Sequence, residues 1–513
     1  MAKLNEYILI RGLRKAQRIE TAFYLKSSLM FLLLALVLQA PAGTPHQPVG
    51  PAADSITVAA SAKYKPTLMR RIFIGNNYRQ VWSTPVRMPV FDLKASGLKV
   101  TELGGGQQTK SLQLVDKAGV EWVLRTVDKD VEKALPPKLR GTLAQTLVQD
   151  MISAAHPYAP LVVAHMAKAI GVSAPDPQLF YIPDDPAFGE HQKIFAGQVV
   201  FLEKRNPTTD DSDSKSTATA QEKLGEDEDR LILQRQVLKA RLLDMLIADW
   251  DRHADQWRWG ILDSAGAKYY YAIPRDRDQA FFQSSGLIPR VGKAVAMKHL
   301  NWFKAKTKGL PSLNYKSREF DPIFLNDLDA GEWRQVIEEF QAQLSDAVID
   351  AAVARMPAPV VAKSGDFLRS RLKSRRNTLM RPVMDYYKQV AAEVQVWGTK
   401  KAELFTVTPE NNGIRVQVFA LDKAGKQGLQ RYNRFFPAGE TRYLHLEGLG
   451  GKDRFQIGNV PQGAPVVHVY GMDGNDLIDI AEKNDKKIKL HFESLGAAPV
   501  VAQKPAEEAE GKN

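Results

Sequence analysis

Two stretches of the chain concentrate side chains able to do chemistry. The first is Leu246-Ile-Ala-Asp-Trp-Asp-Arg-His-Ala-Asp-Gln-Trp-Arg-Trp259, where Asp249, Asp251, His253, Asp255 and Gln256 follow an apolar run. The second follows the β-rich Lys268-Tyr-Tyr-Tyr-Ala-Ile273 as Pro274-Arg-Asp-Arg-Asp-Gln-Ala-Phe281. Carboxylates and amides are hard oxygen donors, and two such clusters joined by a hairpin suit Mg²⁺ or Mn²⁺. The pairing also suits phosphoryl transfer, in which one carboxylate accepts a hydroxyl proton while others hold metal on the phosphates. An Asp-rich turn by itself is an ordinary solvated surface. It is the two clusters at this spacing that carry the reading.

Positioning them requires particular elements. Apolar periodicity predicts a helix from about Leu231 to Ala248 that delivers the chain into Asp249. Upstream, Lys110-Ser-Leu-Gln-Leu-Val115 and Glu121-Trp-Val-Leu-Arg-Thr-Val127 read as strands joined by an Asp-Lys-Ala-Gly turn. A helical stretch from Arg140 to Ile170, stopped at Gly171, is expected to split at His156-Pro157 and Ala159-Pro160. Residues 206–230 are polar and acidic and are expected to form a disordered insertion. Further helices are expected over 330–355 and 365–392, and short β segments with Gly turns from Val394 onward.

Asp-Trp-Asp-Arg-His followed by Ile-Pro-Arg-Asp-Arg-Asp-Gln-Ala-Phe resembles the core of atypical secretory-pathway kinases, most nearly the spore-coat kinase family CotH. The HipA toxin kinases and Golgi casein kinases are more distant likenesses. Ala167-Lys-Ala-Ile-Gly-Val-Ser-Ala-Pro175 resembles a helix end of that family's N-lobe, and Gly197-Gln-Val-Val-Phe-Leu-Glu203 its hinge strand. The likeness covers residues 100–285. It implies a catalytic Asp251, metal held by Gln256, Asp276 and Asp278, and a nucleotide such as ATP with Mg²⁺ or Mn²⁺. Much of the family has Asn where Gln256 stands, one methylene shorter.

The resemblance also implies a strand cation on the nucleotide phosphates, paired with a helix acid. Arg125 occupies the strand position, where Lys is usual, with Lys110 and Lys129 as alternatives. Asp150 is the nearest acid, and Glu203 lies at the hinge. The chain is also similar to the uncharacterised region of bacterial envelope proteins that carry a calcineurin-like phosphoesterase domain, but it has none of that domain's metal motifs.

The whole chain bounds these readings. It has 513 residues, 44% hydrophobic, with a net charge of +12 and no cysteine. Wholesale disorder, a disulfide scaffold and thiolate metal sites are excluded. Leu29–Leu38 is too short to span a bilayer but fits a signal core after a basic leader. Export to the periplasm or cell envelope follows, with no spanning segment beyond the leader. Near the C-terminus, Gly448-Leu-Gly-Gly-Lys-Asp-Arg-Phe455 and Tyr470-Gly-Met-Asp-Gly-Asn-Asp-Leu-Ile478 repeat at an offset of 23 residues. They read either as Ca²⁺-binding β-roll turns, with Asp453, Asp473 and Asp476 as ligands, or as sandwich hairpins. Arg431, Arg434 and Arg442 lie among aromatics that read as β-core, so nucleic acid is not an expected partner. His156, His165 and His299 are isolated and read as structural.

The expected architecture is α+β: a leader (1–42), a linker (43–60), a divergent two-lobed kinase-like domain (61–392), a small all-β domain (393–495) and a disordered tail (496–513). The expected activity is transfer of a nucleotide γ-phosphoryl group to a protein hydroxyl. The competing reading is a catalytically inactive, pseudokinase-like binding module of the envelope.

Overall fold

The computed structural model describes residues 55–491 apart from 105–108, 133–134, 296–299, 471–475 and 482–486. The expected leader and tail, most of the Gly104-Gly-Gly-Gln-Gln stretch, His299 and Asp473 lie outside the described residues. Ser55–Ala59 (β1) pairs antiparallel with Pro85–Pro89 (β2), with Leu68–Phe73 (α1) between them. Residues 55–59 of the expected linker are therefore a strand, because Ser55-Ile-Thr-Val-Ala59 is rich in β-branched residues and finds a partner strand.

A five-stranded antiparallel sheet builds the small lobe. Its strands are Lys99–Gly104 (β3), Ser111–Val115 (β4), Glu121–Thr126 (β5), Gln178–Tyr181 (β6) and Val199–Lys204 (β7), in spatial order β3-β4-β5-β7-β6. Side chains alternate across β4, so Leu112 and Leu114 enter a core with Leu124, Val200 and Phe195. Between β5 and β6 run Leu143–Met151 (α2) and Ala159–Ala169 (α3), split where the prolines require it. Gly171 follows α3 at φ 71°, a left-handed turn open to glycine.

The segment expected to be disordered is instead ordered: Lys215–Ser216 (β8), Thr217–Glu226 (α4) and Arg230–Ile232 (β9). Ser216 caps α4 by accepting the Thr219 N–H at 3.1 Å, Thr217 donates to the Ala254 carbonyl at 2.8 Å, and Ala220 is buried. Hydroxyls that read as loop composition are here cap and core contacts. Glu226, Asp227 and Asp229 all lie within 4 Å of Arg230, which neutralises the acidic run.

The large lobe starts with Gln234–Ile247 (α5), then the hairpin Trp257–Ser264 (β10) and Ala267–Pro274 (β11), within a sheet ordered β8-β10-β11-β9. Leu287–Val295 (α6), Ala330–Gln343 (α7), Asp346–Ala354 (α8), Ala358–Asn377 (α9) and Met380–Val390 (α10) complete it. One apolar core, running from Tyr64 through α3, α5 and α7 to α10, joins the lobes.

The C-terminal module comprises Glu393–Trp397 (β12), Glu403–Glu410 (β13), Gly413–Leu421 (β14), Gln427–Pro437 (β15), Tyr443–Glu447 (β16), Arg454–Ile457 (β17), Val466–Tyr470 (β18), Leu477–Ile480 (β19) and Ile488–Leu490 (β20). From β16 on, the chain alternates between two sheets, ordered β12-β16-β18-β20 and β15-β14-β13-β17-β19. Neighbours are parallel in the first sheet and along β13-β17-β19, so successive coils stack. His445 faces His468 and Arg454 faces Leu477, one coil apart. The module is a two-sheet parallel roll with an inserted β14–β15 hairpin, and the 23-residue offset is the length of the coil from β16 to β18 and from β17 to β19.

Candidate active site

Helix α5 ends because Ala248 turns left-handed, at φ 56°, with the next N–H returning to the Asp244 carbonyl at 3.0 Å. Asp249 is buried just beyond it. Its Oδ1 accepts the Asp251 N–H at 3.2 Å, an Asx-type turn that fixes how Asp251 is presented. The β10–β11 register places Trp257 opposite Pro274, and the Arg275 N–H donates to the Gln256 carbonyl at 2.9 Å. Both acidic loops therefore lie at one end of one hairpin. Buried Arg252 fastens them together: its Nη1 donates to Gln256 Oε1 at 2.7 Å and to the carbonyls of Arg275 and Asp276. Asp276 itself adopts φ 58°, a left-handed conformation that Asp tolerates better than most side chains.

Arg252 is held from below by a buried network. Arg241 donates to Asp244 at 2.7 Å, to Asp321 at 2.7 Å and to Asn314 at 2.9 Å. Tyr386 donates to Asp321 at 2.7 Å, and Arg252 and Arg277 both approach Asp244. Removing one partner from such a set leaves a buried charge uncompensated, so its members lock the loops rather than merely decorate them.

Across the cleft, Arg125 on β5 reaches Asp276 at 3.1 Å and Glu203 on β7 at 3.8 Å. Lys129 pairs with Asp278, and Lys316 pairs with Asp251. Burial pushes the Asp276 carboxyl up, but Arg125, Lys129, Arg252 and Arg275 outweigh it and hold it down at about 2. Asp249 is pushed up to about 6, by burial first and by Asp251 and Asp276 beside it, against the pull of Arg252. The Lys129 ammonium is lowered by burial and by Arg125, while Asp276, Asp251 and Asp249 oppose the shift. One cation thus feels carboxylates from both loops. Burial raises Glu203, with Arg125 and Arg275 opposing.

The cleft between the lobes has a volume of about 290 Å³ and is walled by Gly104, Ser111, Val123 and Arg125 above and by Gln256, Arg275 and Asp276 below. Arg125 and Asp276 also border an inner chamber lined by Val127, Val163, Ala164 and Phe201. An open polar mouth with an apolar recess suits a ligand carrying both phosphates and a flat apolar ring.

Arg125 and Asp276 therefore border both the mouth and the inner chamber, Gln256 lines the mouth, Lys129, Glu203 and Asp278 line the chamber, and Asp251 acts on the Lys129 charge from beside them. Three expectations are corrected. Lys110 is exposed and approaches Asp130 at 3.8 Å, because it precedes β4 on the outer side of the sheet. Asp150 on α2 accepts from Arg79 at 2.9 Å and lies 3.7 Å from Arg70, so Arg125 takes Glu203 and Asp276 as its acids instead. Gln256 lines the cleft, but its amide oxygen is already engaged by Arg252 and is not turned to a metal.

The carboxylates assigned to Ca²⁺ in the roll have backbone partners. Asp453 Oδ1 accepts the Glu403 N–H at 2.8 Å and Asp476 Oδ1 accepts the Asp453 N–H at 3.0 Å, each closing one coil onto the next. Sequence reasoning placed Asp249 in the acidic cluster without an individual role and gave none to Lys316, Arg252 or the Arg241 network. A usable signal was present, since Arg241 and Asp244 sit among apolar residues on one helix and buried charges require partners.

Among the described residues, no three His, Asp or Glu side chains converge on one ion. Mg²⁺ at nucleotide sites takes only one or two carboxylates and completes its shell with phosphates and water. Asp276 fits that demand, and Asp249 Oδ2, buried without a hydrogen-bond partner, adds a second hard oxygen to the cluster.

No protein-family model and no curated protein matches the chain. Solved structures similar to it include a proinflammatory kinase, CtkA, of Helicobacter pylori, at 12% identity and TM-score 0.30, covering 59% of this chain and 99% of that one. The Rio2 kinase of Chaetomium thermophilum matches at 13% identity and TM-score 0.29, covering 57% and 74%. A Golgi casein kinase matches at 10% and 0.30, covering 65% and 84%. The first domain joins a five-stranded small-lobe sheet, with helices inserted after its third strand, to a larger helical lobe entered through the hairpin flanked by acidic loops, and an all-β module follows it.

Proposed function

We propose that the chain is a phosphotransferase that moves a nucleotide γ-phosphoryl group to a hydroxyl, on a protein substrate. The observation that carries this reading is the meeting of Asp251 and Asp276, from the two loops at the open end of one hairpin, where Lys129 feels both carboxylates and Arg125 pairs with Asp276. Asp251 is the base that accepts the hydroxyl proton, presented by the Asp249 turn and oriented by Lys316. Arg125, held by Glu203, and Lys129 receive the phosphates. Asp276, with Asp249 or Asp278 beside it, holds Mg²⁺ or Mn²⁺, which when bound neutralises charge across the phosphates. The proposal also places the protein in the cell envelope, supported by the basic leader and the Leu29–Leu38 run.

The alternative, a kinase-like binding module without catalysis, is favoured by one observation: Asp251, Asp276 and Asp278 are each ion-paired with a basic side chain. Nucleotide binding with Mn²⁺ and transfer of labelled γ-phosphate separate the two. In an active enzyme, Asp251→Asn should cut transfer by roughly 10²–10⁴-fold while leaving nucleotide binding intact. Asp276→Asn should lose both. A wild type that binds nucleotide yet labels no protein or added hydroxyl acceptor supports the binding module. One that binds none ends both nucleotide readings.

A further inference from the structure

Helix α1 carries Leu68, Met69 and Ile72 on one stripe, at the spacing of an amphipathic helix. The stripe points to solvent: the three are 70%, 40% and 53% exposed, and α1 has no buried residue. Apolar stripes at this spacing normally face a core. Helix α6 repeats the anomaly with Leu287 and Val291, 56% and 43% exposed and one turn apart. Among the described residues, five of the twelve large apolar side chains left exposed therefore lie on these two short helices.

The two helices leave one backbone crossing. A Cβ on Gly286 would stand 2.1 Å from the Ile74 carbonyl carbon, the Asn76 N–H donates to Ser285 Oγ at 3.2 Å, and the Ser285 N–H donates to Asn77 Oδ1 at 3.3 Å. The stripes thus belong to one fixed surface. Its border is cationic. Arg71 and Arg290 are exposed beside the apolar residues, while Lys293 and Lys304 stand 4.8 and 5.3 Å from the half-buried Trp302 ring further along the chain. Exposed Leu, Ile, Met and Val with arginines beside them are the composition of a surface that rests in a lipid headgroup layer.

We infer that the α1–α6 surface docks on an anionic lipid bilayer, its apolar residues entering the headgroup boundary and its basic rim meeting lipid phosphates. A second copy of the chain fits less well, because two rims of the same sign would face each other. Docking needs no transmembrane helix, and among the described residues no helix is long and apolar enough to be one. The inference does not depend on phosphotransfer.

The chain has no cysteine, so Met69→Cys and Val291→Cys each offer one attachment point for an environment-sensitive fluorophore in the full-length protein. Leu262→Cys, at an exposed apolar position on β10, is the control. Vesicles of phosphatidylcholine with phosphatidylglycerol should shift the labels at 69 and 291 to the blue, and added salt should reverse the shift. Phosphatidylcholine alone should do so far less, and the label at 262 should not respond. Arg71→Gln should weaken the response at 291 by roughly fivefold, the effect of one cation near an anionic surface. Labels at 69 and 291 that stay water-like on anionic vesicles carrying the protein would show that the leader alone anchors it. Labels that shift with protein concentration in the absence of lipid would show that the surface is a contact between copies. Either result overturns the inference.

Discussion

His156 shows how a residue's chemistry is set by its surroundings. Its ring is buried, Nδ1 accepts the Tyr158 N–H at 3.2 Å, Nε2 lies 3.0 Å from Ser364 Oγ, and Tyr78 and Phe281 pack on it edge-on. Burial lowers its pKa to about 3. The unfolded chain then binds the extra proton below about pH 6.5 while the folded one does not, so stability falls as pH drops from there toward 3. His156→Gln should flatten that acid limb of the stability curve, by an amount on the order of a few kcal/mol across the window. Chemical denaturation at a series of pH values measures it, and an unchanged slope would refute the buried neutral ring. Gln256 makes the opposite point, because its type suggested a metal ligand while its oxygen serves Arg252. Gln256→Asn shortens the reach by one methylene and costs Arg252 a charge-assisted hydrogen bond, worth roughly 1.5–3 kcal/mol. If the phosphotransfer reading holds, nucleotide affinity and transfer should fall about tenfold or more, and a gain of activity would restore the metal-ligand role. Asp251, Asp276 and Asp278 were legible because carboxylates cluster in sequence on both sides of a hairpin. Lys316 was not, since the ion pair that brings it to Asp251 spans 65 residues.

Among the elements, those governed by local rules were the legible ones. The strand alternation of β4, the proline split between α2 and α3, and the helix leading into Asp249 each follow from side-chain period or backbone restriction. Helix α4 was misread because its stability comes from Thr217 reaching the Ala254 carbonyl and from burial of Ala220, which composition does not record. In the roll, the 23-residue offset was visible but not what the aspartates at that offset do. Each caps a backbone N–H on the preceding coil: Asp453 that of Glu403, and Asp476 that of Asp453. The Asp453 cap is buried, so its loss leaves a donor with no water to replace it. Asp453→Ala should therefore cost on the order of 1–3 kcal/mol and loosen β13 and β17 together. Chelation of Ca²⁺ should leave the melting temperature unmoved. A drop in Tm on adding chelator would revive the Ca²⁺ assignment, and a silent Asp453→Ala would remove the capping role.

On the scale of the whole molecule, the roll is bonded to the two-lobed domain through side chains that reach across the boundary. Arg434 is buried on β15, donates to the Asn326 carbonyl at 2.7 Å and reaches the Tyr387 hydroxyl at 3.2 Å. Tyr432 donates to that same carbonyl at 2.8 Å, and Arg431 is directed at the carbonyls of Asp227 and Glu228 beyond α4. In return, the large lobe sends the Asn326 amide to the Gln395 carbonyl at 2.8 Å, and Trp397 of β12 packs on the main core. If the parts separate, each of these hydrogen bonds is exchanged for one to water, a net loss of roughly 0.5–1.5 kcal/mol apiece and about 1.5–3 kcal/mol for those of the guanidinium groups. Set against a typical total stability of about 5–15 kcal/mol, a few such contacts suffice to make the two parts unfold together. Calorimetry of the full chain should show one transition. The double variant Arg431→Ala, Arg434→Ala should split it in two, with the roll melting first because its edge coils past β18 have fewer buried side chains. Two transitions already in the wild type would mean that the roll is an independent passenger. A single transition retained in the double variant would assign the coupling to apolar contacts such as Trp397, and the arginines would then be orienting the roll without holding it.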